Sequence, residues 1–153
     1  MDHSLPPVSV IMPVRNAEKT LDRTLETVLN QSYTNIVEII LAIGPSDDET
    51  SVLAKELNKI DPRIEIVENK TGGTARGLNL ASELATGEYL VRVDSHCLLP
   101  NNYVDIAVKK IKETGAGNVG GVQMATGESG FQSAVATAMT SKFGVGNSKF
   151  HYG

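Results

Sequence analysis

Asp94-Ser95-His96 is the trio in this sequence whose residue types and spacing best suit chemistry. A carboxylate and an imidazole two apart, in a turn just past an apolar run, can both face one divalent ion. That donor pair suits Mn²⁺ or a similar borderline ion better than Ca²⁺. Such an ion bridges the two phosphates of a nucleotide diphosphate and stabilises the charge on a departing one. The plainer reading is that Asp94 caps the following turn and His96 is a solvated loop residue, and three residues alone favour it. Cys97, beside His96, reads as a small buried thiol before it reads as a metal ligand. Arg15, Arg76 and Arg92 each carry the fork that grips phosphate, although most arginines are surface or ion-paired side chains. Arg76 is the best placed of them, at the opening of a helix whose N-terminus itself attracts anions. Arg92 is unusual because it sits inside an apolar strand-like run, YLVRVD. An edge strand or a nearby partner explains such a position.

Two glycine patterns carry no such chemistry. Gly115, Gly117 and Gly120 match G-x-G-x-x-G, but they follow a helix-like segment and lead into a strand-like one, the reverse of a dinucleotide loop. Gly72 to Gly77 has Walker-like spacing, but Leu78-Asn79 stands where Lys-Ser/Thr belongs.

The elements that must position these residues alternate. Strands are expected at Val8–Met12, Val37–Ile43, Ile64–Val67, Tyr89–Val93 and Val119–Met124. The run VEIILAI has the near-continuous apolar character of a strand covered on both faces. Between the strands lie helical patterns. The first has Leu21, Leu25, Val28 and Leu29 at helical spacing and Asn16 as its cap. The second has Val52, Leu53, Leu57 and Ile60 on one face and a Ser46/Glu49 capping box. The third, Thr74–Ala85, turns Leu78, Ala81, Leu84 and Ala85 inward and has Gly87 as its C′ residue. Another runs from Asn102 to a stop at Gly115, and Phe131–Met139 also reads as a helix. Strand–helix alternation of this kind makes an α/β fold, a mostly parallel central sheet with helices on both faces. Such sheets bind ligands outside the carboxyl ends of their strands. Arg15, Asn16, Ser46–Asp48, Asn69–Arg76 and Asp94–His96 all fall there.

Composition sets the bounds. The 153 residues fit a single domain over 1–153, with 41% apolar and 21% charged residues and a net charge of -4. No basic excess exists to drive binding to nucleic acid. A single cysteine excludes an intrachain disulfide and a multi-cysteine zinc site. No apolar run reaches the ~18 residues of a membrane helix. MDHSLPPVSV has no charged segment leading into an apolar one, so no signal peptide is expected and the expected location is cytoplasmic.

In combination, these blocks resemble the nucleotide-binding half of a family 2 glycosyltransferase with the GT-A fold. VSVIMPVRNAEKTLDRTLETVLNQSY is similar to that family's opening strand, Pro-x-x-Asn turn and long amphipathic helix. VEIILAIGPSDDET is similar to its second strand and Ser-x-Asp loop. GTARGLNLASELATGEYLVRVDSH resembles the helix and strand leading into its DxD metal motif. The tail looks closest to bacterial exopolysaccharide glycosyltransferases of the succinoglycan-synthesis type. The resemblance implies transfer of a sugar from a nucleotide diphosphate, a UDP-sugar first, to a glycan or lipid-linked acceptor, with inversion and with Mn²⁺ or Mg²⁺. Pro13, Val14, Arg15, Asn16, Asp47, Arg76 and Asp94 then hold the nucleotide, and Asp94 and His96 hold the metal, which reverses the weight given to the plainer reading.

Three departures stand out. Ala42-Ile43-Gly44-Pro45 replaces the family's acidic pair after the second strand, leaving Asp47, Asp48 or backbone to read the base. DxD is here DxH, similar to the polypeptide N-acetylgalactosaminyltransferases. No Glu-Asp pair follows His96, and the later acids are Asp105, Glu113 and Glu128. The expected base therefore lies beyond residue 153, and the chain reads as a donor-binding fragment, inactive alone. Its uncovered Phe131–Met139 segment suggests a homodimer, and the longer protein is expected to attach to the inner face of the cell membrane. A nucleotidyltransferase and a non-catalytic nucleotide-binding module are the alternatives.

Overall fold

The structure is a computed structural model that describes residues 4–122, 124, 125 and 130–139. The chain divides into two compact units, Met1–Ile106 and Ala107–Gly153. The first holds β1 (Val8–Val14), α1 (Leu21–Leu29), β2 (Ile36–Ile43), α2 (Thr50–Ile60), β3 (Ile64–Glu68), α3 (Thr74–Leu84) and β4 (Tyr89–Arg92). α4 (Tyr103–Thr114) runs from it into the second unit, which also contains α5 (Gly130–Met139). Among the described residues no helix is long and apolar enough to cross a membrane.

The four strands form one parallel sheet in the order β3-β2-β1-β4. The apolar runs occupy its centre. Along β1 and β2, Val10, Met12, Ile39 and Leu41 are as buried as Ile11, Ile40 and Ala42, so both faces are covered. The outer strands β3 and β4 are more exposed: β3 exposes Glu65, Ile66 and Glu68, and β4 exposes alternate residues, Leu90 and Arg92. One face carries α3, whose Ala81 and Leu78 pack on Ile11, Ile40 and Ala42. Gly77 makes that approach close: a Cβ there would lie 3.3 Å from Ala42 Cβ and 3.5 Å from Pro13 Cβ.

Several local expectations change. Val119–Met124 is not a strand: residues 119–122 and 124 are irregular, and Val122 and Met124 are exposed. Two valines and a methionine spaced by glycines look the same in sequence whether or not a partner strand is available. Val52, Ile60 and Leu84 face outward, while Ala54 and Thr50 are the buried positions of α2. Gly87 is not a C′ residue, since Ala85 ends α3. It is needed for another reason, because a Cβ at Gly87 would fall 2.5 Å from the Ser9 nitrogen. Gly115 does stop α4 in the left-handed region, φ 66°, with its N–H donating to Ile111 O at 2.8 Å.

A cleft opens because the sheet parts at its carboxyl end. β4 pairs with β1 from Val8 to Ile11, and the Val93 N–H still reaches Ile11 O at 3.1 Å. Val14 O accepts from Gly44 on the β2 side, so the alternation of a strand turns Pro13 toward the β4 side, where pairing has ended. The missing N–H of proline leaves no ladder bond broken there. Strand order reverses at this same place, between β1 and β4, the switch point at which open α/β sheets hold ligands.

Candidate functional site

The cleft encloses about 210 Å³ and is lined by Pro13, Val14 and Arg15 from the end of β1, by Asn69, Gly72 and Thr74 ahead of α3, and by Arg92, Asp94, Ser95 and His96 at the end of β4. Three segments far apart in sequence thus meet at one sheet end.

Its first wall is the turn after β1. Asn16 does not cap α1, which starts at Leu21 after Thr20. It adopts φ 48°, a left-handed conformation that asparagine tolerates better than most residues. From there its N–H donates to Ser46 Oγ at 3.0 Å, and its Oδ1 accepts the Asp47 N–H at 2.9 Å. Ala17 N–H donates to Thr50 Oγ1 at 2.7 Å and Glu18 N–H to Asp48 Oδ2 at 3.2 Å. The β1 and β2 loops are therefore tied together bond by bond, in place of the expected Ser46/Glu49 capping box. Asp48 is consumed in this work. The Thr50 hydroxyl, which outweighs a modest burial penalty, and the Glu18 and Thr50 amides hold its carboxyl below the usual range. Asp47 is exposed, and Ala42 and Ile43 are buried and apolar.

The second wall is held by Asn69, which is 2% exposed. Its Nδ2 donates to Gly73 O at 3.0 Å and its Oδ1 accepts from Thr71 at 3.0 Å, fixing the Gly72-Gly73 turn ahead of α3. Gly72 is left-handed at φ 67°, and Arg15 lies across it, 3.6 Å from where a Cβ would stand. Arg15 forms no ion pair with any acid among the described residues. Arg76 does not line the cleft; its guanidinium is exposed on α3, 3.9 Å from Glu83.

The third wall carries the trio. Ser95 is buried, and its carbonyl accepts from Thr20 Oγ1 at 2.8 Å and Thr24 Oγ1 at 3.1 Å. Thr20, just ahead of α1, and Thr24 within it thus pin the turn that presents Asp94 and His96, a role that nothing in their spacing announced. The Asp94 backbone carbonyl closes the turn by accepting the Cys97 N–H at 2.9 Å. Its side chain goes elsewhere: Arg92 Nε reaches Oδ1 at 3.0 Å and Nη2 reaches Oδ2 at 3.2 Å. Arg92 is on an edge strand and paired beside the cleft, so both expected explanations hold, and the carboxylate beside it keeps its guanidinium firmly protonated. His96 is exposed. Cys97 is half-buried rather than buried, and that burial pushes its thiol up.

Among the described residues no three His, Cys, Asp or Glu side chains come together as a metal cage. The donor set of the trio is one carboxylate and one imidazole. Mg²⁺ is commonly held by one or two carboxylates plus substrate phosphates, so Asp94 fits an ion that arrives with a diphosphate, and the His96 imidazole favours a softer, borderline ion over Mg²⁺.

Residues 9–151 match the family described as Glycosyl transferase family 2. The chain belongs to glycosyl transferase family 2. This family 2 chain is 33% identical over 147 residues to the succinoglycan biosynthesis protein ExoA of Rhizobium meliloti, a match covering 94% of it and 44% of ExoA. It is 34% identical over 111 residues to the glycosyltransferase GlyG of Streptococcus pneumoniae, covering 71% of this chain and 36% of GlyG. The chain thus spans less than half the length of either relative. Among solved structures, S. aureus TarS superposes with a TM-score of 0.63 at 21% identity, covering 80% of this chain and 24% of TarS. TarS 1–349 in complex with UDP gives the same TM-score and covers 40% of that chain. The likeness shows a shared fold, the parallel α/β sheet of GT-A type.

Proposed function

We propose that this chain supplies the donor site of a glycosyltransferase that moves a sugar from a nucleotide diphosphate, a UDP-sugar first, to a glycan or lipid-linked acceptor in exopolysaccharide or cell-surface synthesis. The observation that carries the reading is the cleft at the β1/β4 switch point, where Asp94, His96 and Arg15, which has no ion pair among the described residues, converge. Family membership and the similarity to ExoA support the donor class and the pathway type.

In this reading Pro13–Asn16 line the nucleotide, and the rigid tie to Ser46–Thr50 keeps that wall preformed. Arg15 meets the diphosphate, since a guanidinium with no acidic partner among the described residues can turn its fork to phosphate. Asp94 and His96 hold a divalent ion, which when bound supplies charge neutralisation to the leaving diphosphate. Arg76 needs to turn inward from Glu83 to take part, and Asp47 is too exposed to be more than a rim contact. Inverting transfer is one direct displacement, so no covalent nucleophile is required of these residues. Among the described residues the cleft lining offers no carboxylate besides Asp94, so in this reading the group that deprotonates the acceptor comes from outside it. That same fact favours a second reading for the chain in isolation, donor binding without transfer.

Calorimetry with UDP, in Mn²⁺ and in EDTA, tests the site. Wild-type chain should bind more tightly in Mn²⁺, and His96→Ala should lose about 10–100-fold of affinity in Mn²⁺ only. Equal affinities of wild type and variant in Mn²⁺ would remove His96 from the site. Sugar transfer by the 153-residue chain at the rate of a longer one would overturn the binding-only alternative.

A further inference from the structure

From the bidentate contact at the end of β4 we infer that Arg92 and the divalent ion are alternative partners of Asp94, exchanged when the nucleotide diphosphate enters. The inference rests on the donor-site reading above and adds a residue that reading does not use.

Both oxygens of Asp94 are already committed, Oδ1 to Arg92 Nε at 3.0 Å and Oδ2 to Nη2 at 3.2 Å. Each oxygen keeps a second lone pair, but an ion seated on it would stand beside the guanidinium, so ion and guanidinium compete for this carboxylate. Two positive partners side by side on one carboxylate would also repel each other. The contact is nonetheless of a kind that can be released. The Arg92 side chain is 53% exposed and that of Asp94 33%, so water can solvate each group when they part. Exposed pairs of this kind are weak.

The backbone beneath them is fixed. Arg92 ends β4, Val93 is bonded to Ile11, and Ser95 is pinned by Thr20 and Thr24. Motion is therefore confined to the side chains. Arg92 itself lines the cleft, so on release its fork remains within the space where a diphosphate would bring new negative charge. Phosphate offers the guanidinium the same planar, two-point contact that Asp94 gave it. The exchange keeps charge balanced: before entry Arg92 neutralises Asp94, and afterwards the ion does so while Arg92 faces phosphate.

Two consequences follow. In the absence of nucleotide, Arg92 suppresses ion binding at Asp94. In its presence, ion and nucleotide promote each other, and the coupling is reciprocal.

The test uses the 153-residue chain and Mn²⁺ alone, followed by the electron paramagnetic resonance of free Mn²⁺, with and without UDP. Arg92→Met keeps the apolar stem and removes the fork. It should bind Mn²⁺ alone about two- to fivefold more tightly than wild type, the range an exposed ion pair spans. The factor by which UDP tightens Mn²⁺ should shrink by at least as much. Arg92→Lys, a cation without the fork, should fall between, and Asp94→Asn should abolish the gain when combined with Arg92→Met. Circular dichroism of each variant confirms that the fold is kept. Unchanged or weaker Mn²⁺ binding by folded Arg92→Met overturns the exchange. Failure of wild type to bind UDP under any metal condition overturns the donor-site reading instead, while the comparison with Mn²⁺ alone still decides the exchange at Asp94.

Discussion

Two carboxylates mark the two ends of the sheet. At the amino end, Glu38 is 7% exposed and is surrounded by neutral donors. Its Oε1 accepts from Ser9 Oγ, from the Thr86 N–H at 2.6 Å and from Thr86 Oγ1 at 2.9 Å, while Ser9 Oγ accepts the Gly87 N–H at 2.8 Å. At the carboxyl end, the side chain of Asp94 is one-third exposed and its partner is a single flexible cation. Glu38 is held by backbone and by short hydroxyl side chains that cannot leave without local unfolding. Asp94 is held by a long side chain that can leave by rotating. The same functional group is thus a fixed brace in one place and an exchangeable contact in the other. What separates them is the mobility of the donors and the access of water, since an unpartnered group is costly only where water cannot replace the lost bond.

The contrast is broken hardest at Gly87. A Cβ there would stand 2.5 Å from Ser9 N, 2.6 Å from Ser9 Oγ and 2.9 Å from Val8 C, so β1 or the α3–β4 connection must move. Gly87→Ala should cost about 3 kcal/mol, the upper part of the overpacking range. For a domain of this size that lowers the unfolding midpoint by roughly 6–12 °C. UDP affinity, measured well below the midpoint, should stay put, because the brace is at the far end of the sheet. The mirror experiment is Asp94→Ala. It should change stability by less than about 1 kcal/mol, as an exposed pair does, yet weaken Mn²⁺-dependent UDP binding by about 10–100-fold. An Asp94→Ala chain that melts far below wild type would show that the carboxyl-end pair is a brace as well.

Much of this asymmetry could be read from residue order, and part of it could not. VEIILAI declared a central strand because a run with no polar alternation has nowhere to put a wet face. YLVRVD, with one cation in the run, already pointed to an edge or to a partner. Loop chemistry was harder. An asparagine before an amphipathic segment signals a cap, and the same residue type also enters left-handed turns, so Asn16 was legible as special but not in its role. Thr20 and Thr24 look like ordinary helix residues, because their carbonyl partner, Ser95, is more than seventy positions away. Gly87 sits where a helix terminator is expected, and only the close passage of Ser9 reveals why a side chain is excluded. Short-range signals survive in sequence; the pairing of loops across the sheet end does not.

The gentlest probe of the comparison is Glu38→Gln read against pH. Burial pushes the Glu38 carboxyl up, but the Ser9, Thr86 and Gly87 donors together outweigh it and hold the native carboxyl below the ordinary glutamate range. A group whose native pKa is lowered stabilises the fold above its unfolded value, near 4.3, and loses that contribution as pH falls through it toward the native value. The amide introduced by Glu38→Gln keeps one acceptor oxygen and has no charge to lose, so the substitution should cost about 1 kcal/mol at pH 7. That difference between wild type and Glu38→Gln should persist down to about pH 5 and then narrow as the medium becomes more acidic. Urea denaturation of both chains at a series of pH values measures it directly. The other lowered carboxyls, such as Asp48 and Asp61, are present in both chains and drop out of the difference. A gap that is constant across the acid range would mean that Glu38 is not held as an anion. The amino-end brace would then be a matter of shape rather than charge, and the contrast with Asp94 would reduce to exposure alone.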